Sequence, residues 1–234
     1  MIDADNSSSL LNQLKNMSLA VPLRSEGRKT EHVEKYAISH LLAAISESDL
    51  LKYPIQVEHS DRPDFVILTS DISIGVEVTE AVSQNSAHAD FLREKGCGPD
   101  VYFPLLTEIG ERRKKSKHLK KEIEENRPGL PMMGDKPERV WSQAMSYFTE
   151  CKVKLWSNDG FKHHDRNWLL IDDNWGVPQL NIQVGLTKFH RTCLAQSVFE
   201  VFDTIFVVSR NGRKLAIATQ EHIEVRPIPS LKES

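Results

Sequence analysis

The stretch DRPDFVILTSDISIGVEVT, Asp61 to Thr79, decides the fold. It opens on a turn signal, Asp61-Arg62-Pro63-Asp64, in which proline pre-sets φ and the aspartates tolerate turn geometry. Phe65-Val66-Ile67-Leu68 follows as an apolar strand, and Ser70-Asp71 turns it. Ile72 to Val78 forms the next strand, apolar on both faces and so expected inside a sheet. Two strands joined by so short a polar turn are expected to pair as a hairpin. Glu77 stands between Val76 and Val78, an unusual place for a carboxylate without a partner. Asp64 opens one strand and Glu77 lies within the other, so the hairpin can aim both carboxylates at one spot. Such a pair is an oxygen site suited to Mg²⁺ or Mn²⁺, and the Val78 carbonyl can add a further oxygen.

Working outward, residues 53–59 read as a short strand, and Thr30 is a candidate N-cap for a helix over about 31–48. Counted at about 100° per residue, Val33, Ala37, Ile38, Leu41, Ala44 and Ile45 form one apolar stripe, with Glu34 inside it. Residues 1–29 are polar and serine-rich and are expected to be a flexible N-terminal tail, with no more than a loose turn around Leu10, Leu11 and Leu14. The remainder, 30–234, is expected to be one domain carrying a polar, glycine-containing insertion at about 81–136. The insertion holds the run ERRKKSKHLKKEIEE (111–125), with seven Lys or Arg among residues 112–121, expected as one exposed helix. An amphipathic helix is expected over about 138–156. Beyond it, 167–171 reads as a buried strand, 180–186 as an alternating strand and 187–199 as a short helix. Residues 202–209 and 214–219 read as strands, with 222–228 at an edge. The order specifies an α/β fold with a mixed central sheet.

Composition limits the function classes. The chain has 234 residues, of which 27% are charged, and a net charge of −3, so any nucleic-acid contact must come from a local patch. No apolar run approaches the ~20 residues of a membrane helix, so no membrane partner is expected. No signal peptide is evident at the N-terminus. Cys97, Cys151 and Cys193 are too few and too widely spaced for a disulfide scaffold or a zinc ribbon, and they fit a reducing cytoplasm. No phosphate loop, nucleotide fingerprint or nucleophile elbow is present. A monomer and a homodimer both remain open.

Pro63-Asp64 followed by Glu77-Val78-Thr79, with Glu34 on the preceding helix, resembles the PD-(D/E)xK nuclease superfamily. The likeness covers about residues 30–80 and 138–172. It implies a restriction-endonuclease-like αβββαβ core, here with a helical insertion and extra C-terminal strands. It implies Mg²⁺ or Mn²⁺ on Asp64 and Glu77, with Glu34 completing the shell or binding water, and a phosphodiesterase acting on DNA. The family's lysine position holds Thr79, which carries no charge. The family sometimes moves that lysine to the following helix, and Lys152 answers. Counted from Gln143, it falls at about 180°, in the centre of a stripe of Trp141, Met145, Phe148, Leu155 and Trp156. An interior lysine needs a carboxylate partner and can stabilise charge developing on a phosphoryl group.

Weaker signals accompany these. Gln143 and Tyr147 resemble the QhxxY motif of one branch of the family but lie beside the apolar stripe. His163-His164-Asp165 reads as a surface loop, and Asp172-Asp173 as a strand end or a turn. Arg112, Arg113, Lys114 and Lys115 are candidate phosphate contacts. The rival expectation is a catalytically inactive nucleic-acid or protein binding module on the same fold, favoured by Thr79.

Overall fold

The hairpin forms in register. β3 (Phe65–Leu68) and β4 (Ser73–Ala81) pair antiparallel, Phe65 against Val76 and Leu68 against Ser73. The Thr69 N–H donates to the Ile72 carbonyl at 3.0 Å and closes the turn. The computed structural model describes residues 2–105, 107–129, 131–156, 161–209 and 213–231. Around the hairpin lies an eight-stranded mixed sheet in which spatial order follows chain order. β1 (Ile2–Ala4) and β2 (Ile55–His59) continue the antiparallel half beyond β3. β5 (Arg166–Asp173) and β6 (Thr204–Ser209) run parallel to β4, and β7 (Lys214–Thr219) and β8 (Ile223–Pro227) restore antiparallel pairing. This is an α/β architecture with helices on both faces.

Side-chain alternation assigns the faces, because successive strand residues point to opposite sides. Val76 and Val78 of β4, with Trp168 and Leu170 of β5, join one core together with α1 (Ser7–Asn16) and α2 (Thr30–Ile45). Leu169 and Ile171 of β5 face the other way, into a core with α5 (Lys136–Trp156) and α6 (Ile182–Ala195). By the same alternation, Glu77 faces the α5 side. Both parallel crossovers, β4 to β5 and β5 to β6, pass through that layer.

Several sequence expectations are corrected. Residues 1–29 are not a flexible tail. Ile2–Ala4 pairs with β2, Asn6 caps α1 by accepting from the Ser9 N–H at 2.9 Å, and Leu10 and Leu14 are fully buried. Residues 180–186 are not a strand, because Ile182 starts α6. The alternation of Ile182, Val184 and Leu186 is incidental. Leu186, Phe189 and Cys193 carry a helical stripe onward, and Val184 is 40% exposed, as a helix back predicts and a buried strand face does not. Asn181 caps α6 at the Val184 N–H. The insertion holds two helices among the described residues, not one. α3 (Gln84–Glu94) is capped by Ser83 and packs on α4 (Ser116–Glu125), burying Ala89, Leu92, Leu119 and Ile123 together. Thr30 is the first residue of α2 rather than its N-cap, which is Lys29. Among the described residues, no helix is long and apolar enough to cross a membrane.

Candidate functional site

β4 outruns β3. Their pairing ends at Phe65 opposite Val76, yet β4 continues to Ala81 with only β5 alongside on its ladder. A strand freed of its neighbour exposes a backbone donor that needs a partner. Asp64 supplies it, with Oδ2 accepting from the Val78 N–H at 2.7 Å. The Asp64 carbonyl accepts from the Ser60 N–H at 2.8 Å, which fixes the preceding turn. The turn residue and the end of the ladder are therefore one device. Asp64 stands where the next cross-strand partner of Glu77 would stand.

Lys152 reaches this point from the α5 layer. Its Nζ lies 2.6 Å from Glu77 Oε1, with side-chain exposures of 19% and 7%. The helical arithmetic for Lys152 agrees with the structure, although Leu155, placed in the same stripe, is 49% exposed. Glu77 Oε2 is buried and has no hydrogen-bond partner among the described residues. Burial, then the charge of Glu77, then that of Glu34 push the Asp64 carboxyl up to about 7, while the Val78 N–H and Lys152 pull it down. The structure thus brings Asp64, Glu77, Lys152 and Glu34 into one electrostatic neighbourhood. Glu34 also pairs with His59 at 3.3 Å.

The donor set fits a divalent cation of the Mg²⁺ type. An unsatisfied buried carboxylate oxygen, beside a carboxyl that burial and then like charge push up to about 7, is what a cation relieves. Among the described residues, no three or more His, Cys, Asp or Glu side chains converge as a metal cluster. Mg²⁺ ordinarily takes one or two protein carboxylates and fills its other positions with water and substrate phosphate.

Other candidates fall elsewhere. Lys114 is committed to Glu122 at 2.9 Å and its N–H to Asn85 Oδ1, whereas Arg112, Arg113 and Lys115 are exposed. Gln143 and Tyr147 lie on the exposed side of α5. Asp165 ties down Ser73 through its N–H and hydroxyl, both at 2.8 Å, so the His163–Asp165 segment closes the start of β4. Asp173 accepts from Trp141 Nε1 at 2.7 Å and the Trp175 N–H at 3.1 Å, and burial raises its carboxyl to about 6. Its role is to anchor α5 to β5.

One group escaped the sequence reading. Arg24 and Arg28 converge on Glu80 of β4, at 2.9 and 2.7 Å, from the segment expected to be a tail. Their spacing of four was the available signal, hidden by the polar composition around it. No protein family, curated protein or solved structure matches the chain.

Proposed function

We propose that the protein is a metal-dependent phosphodiesterase that cuts DNA, on a restriction-endonuclease-like core of the PD-(D/E)xK type. One observation carries this reading: Lys152 Nζ lies 2.6 Å from Glu77, beside Asp64, which accepts from the Val78 N–H at 2.7 Å. A cation, two carboxylates and a helix-borne acid in one neighbourhood form a chemically complete set for phosphoryl transfer.

Asp64 and Glu77 would hold Mg²⁺ or Mn²⁺, which would supply charge to polarise a phosphoryl oxygen. Glu34 would orient the attacking water or complete the shell. Lys152 donates to the charge that grows on the phosphoryl oxygens in the transition state. An ammonium has three donors, so its bond to Glu77 leaves capacity for the substrate. The three free cysteines accord with a reducing, cytoplasmic setting.

Thr79 favours a second reading, an inactive nucleic-acid or protein binding module on the same core. Cleavage of single-stranded, duplex and branched DNA, with Mg²⁺ or Mn²⁺ and with Asp64→Ala as control, separates the two. Metal-dependent cutting that disappears in the variant supports the enzyme. DNA binding without cutting in either protein supports the module.

A further inference from the structure

A cavity of about 260 Å³ opens past the carboxyl ends of β4 and β5. Ser86, Asp90 and Arg93 line it from one face of α3, at the i, i+4 and i+7 spacing that aligns helical side chains. Asn174 and Trp175 line it from directly after β5, and Tyr102 from the insertion. Open α/β sheets hold ligands outside the carboxyl ends of their parallel strands. Cavities for drug-sized ligands start at about 300 Å³, so this one suits a single ring system. Asn174 Nδ2 donates to Glu80 Oε1 at 2.6 Å, and Glu80 lines a second cavity together with Glu34 and Thr79. The ring-sized cavity therefore adjoins the carboxylate site.

Three features of the lining define its occupant. The first is a half-covered ring. Arg93 Cζ lies 4.1 Å from the centroid of Tyr102, yet Tyr102 is 47% exposed, so one face takes the guanidinium and the other is open to a second flat group. The loop that presents this ring is fixed. Asn126 accepts from the Phe103 N–H at 2.8 Å and donates to the Val101 carbonyl at 3.2 Å, and Arg93 Nη2 donates to the Phe103 carbonyl at 3.3 Å. The second feature is neutrality. The charged side chains of the lining are Asp90 and Arg93, 3.6 Å apart, and they cancel, which favours a neutral occupant over a phosphate or an ammonium. The third is an excess of acceptors. Neither Asp90 nor Asn174 Oδ1 accepts a hydrogen bond among the described residues, and burial, the largest influence, raises the Asp90 carboxyl although Arg24 and Arg93 pull it down. Free acceptors call for an occupant that brings donors.

We propose that this cavity takes one unstacked nucleobase of the bound strand, its ring on Tyr102 and its exocyclic amine on Asp90 and Asn174. Guanine, adenine and cytosine carry such an amine, and thymine does not. The inference rests on the nuclease reading, which supplies the strand, and it deepens that reading by giving the substrate a base outside the stack. A single-stranded or mispaired base costs least to bring there.

The test measures binding of the full chain in EDTA by fluorescence anisotropy. The probes are end-labelled strands of abasic spacers carrying one central guanine, adenine, cytosine or thymine, or no base, so the phosphate charge is constant. The wild type is expected to bind the amine-bearing strands about 5- to 100-fold more tightly than the base-free strand, the worth of stacking one base, with thymine in between. Each variant is scored as the ratio to its own base-free strand, which removes any change in background charge. Tyr102→Leu is expected to lose most of the gain, and Asp90→Leu to bring the amine-bearing bases down to thymine. Tyr102 is 47% exposed and the Asp90 side chain 45%, so neither replacement opens the core. Equal wild-type affinity with and without a base overturns the proposal. So does base dependence unaltered in Tyr102→Leu, or amine preference unaltered in Asp90→Leu. Cleavage of ordinary single-stranded DNA with Mg²⁺ is scored separately. Base-dependent binding by a protein that cuts nothing keeps the pocket and removes the nuclease reading. Cutting by a protein indifferent to the base does the opposite.

Discussion

Lys152 on α5 and Glu77 on β4 meet at 2.6 Å, 75 positions apart in the chain, and neither is satisfied in the same way without the other. Lys152→Met keeps the bulk and removes the charge. Cleavage is expected to fall ~10²–10³-fold, typical for loss of a group that stabilises transition-state charge. Folding is expected to weaken by about 3 kcal/mol or more, since Glu77 is left as a buried carboxylate without its counter-ion. Adding Glu77→Gln is expected to recover much of the stability and none of the activity. A single variant that melts like the wild type and cuts at full rate removes Lys152 from the site.

Asp64 gives a pH-dependent signature. Its folded pKa, about 7, lies above that of an unfolded aspartate, ~3.9, so the folded state binds the proton more tightly. Between these values, stability falls as pH rises; the penalty is absent below about pH 4 and complete above about pH 7. Asp64→Asn is expected to raise the melting temperature at pH 8 and to leave it near the wild-type value at pH 4, because its amide oxygen can still accept from Val78. Denaturant melts across this range check it, and an Asn variant less stable at pH 8 contradicts the carboxylate repulsion.

Divalent cation is expected to cancel the same penalty. Millimolar Mg²⁺ or Mn²⁺ binding the folded state alone should raise the melting temperature by mass action. The gain should be larger at pH 8 than at pH 6, where protons compete for Asp64. Calorimetry showing no shift, or an equal shift in Asp64→Ala, argues against the site.

The basic run divides by partner. Arg112, Arg113 and Lys115 are exposed, while Lys114 is held by Glu122. Replacing the three exposed residues with alanine is expected to flatten the salt slope of duplex binding by up to ~0.9 for each phosphate no longer neutralised, with cutting of saturating DNA preserved. Lys114→Ala removes only the pair with Glu122 of α4, since its N–H still donates to Asn85 of α3, and should lower the melting temperature slightly with the slope unchanged.

Gly185 lets α6 approach α5. A Cβ there would lie 2.9 Å from Trp141 Cε3, and Trp141 is fully buried and tied by Nε1 to Asp173. Gly185→Ala is expected to lose about 1–3 kcal/mol to overpacking, against about 1 kcal/mol gained in helix propensity. A net fall in melting temperature checks the direction.

The hairpin and the helix-borne lysine were legible in the sequence because each rests on a local rule. The bounds of β3 and β7 follow from their flanking turn residues, and Lys152 from helical periodicity. Glu34 was legible for the same reason. The N-terminal strand and α1 were not. Their apolar content is three leucines, an isoleucine and an alanine, and what orders them is the unpaired edge of β2, a tertiary fact. α6 was misread because Ile182, Val184 and Leu186 satisfy two periods over a short window, and only Phe189 and Cys193 decide between them. α3 was missed because its sequence is largely polar. The Arg24–Glu80–Arg28 cluster joins segments 52 and 56 positions apart, so the spacing of the two arginines alone does not disclose their shared carboxylate.

The sheet's spatial order also sets a timetable for assembly. The acidic pair lies on a local hairpin that can close within microseconds of its synthesis, as short hairpins do. Lys152 arrives only after the whole insertion has emerged and α5 has swung across to bring β5 alongside β4. Nascent chains that end before α5 carry the two carboxylates without their ammonium and so, on the proposed chemistry, without the competence to cut. On that chemistry, docking of the crossover helix is the step that arms the site.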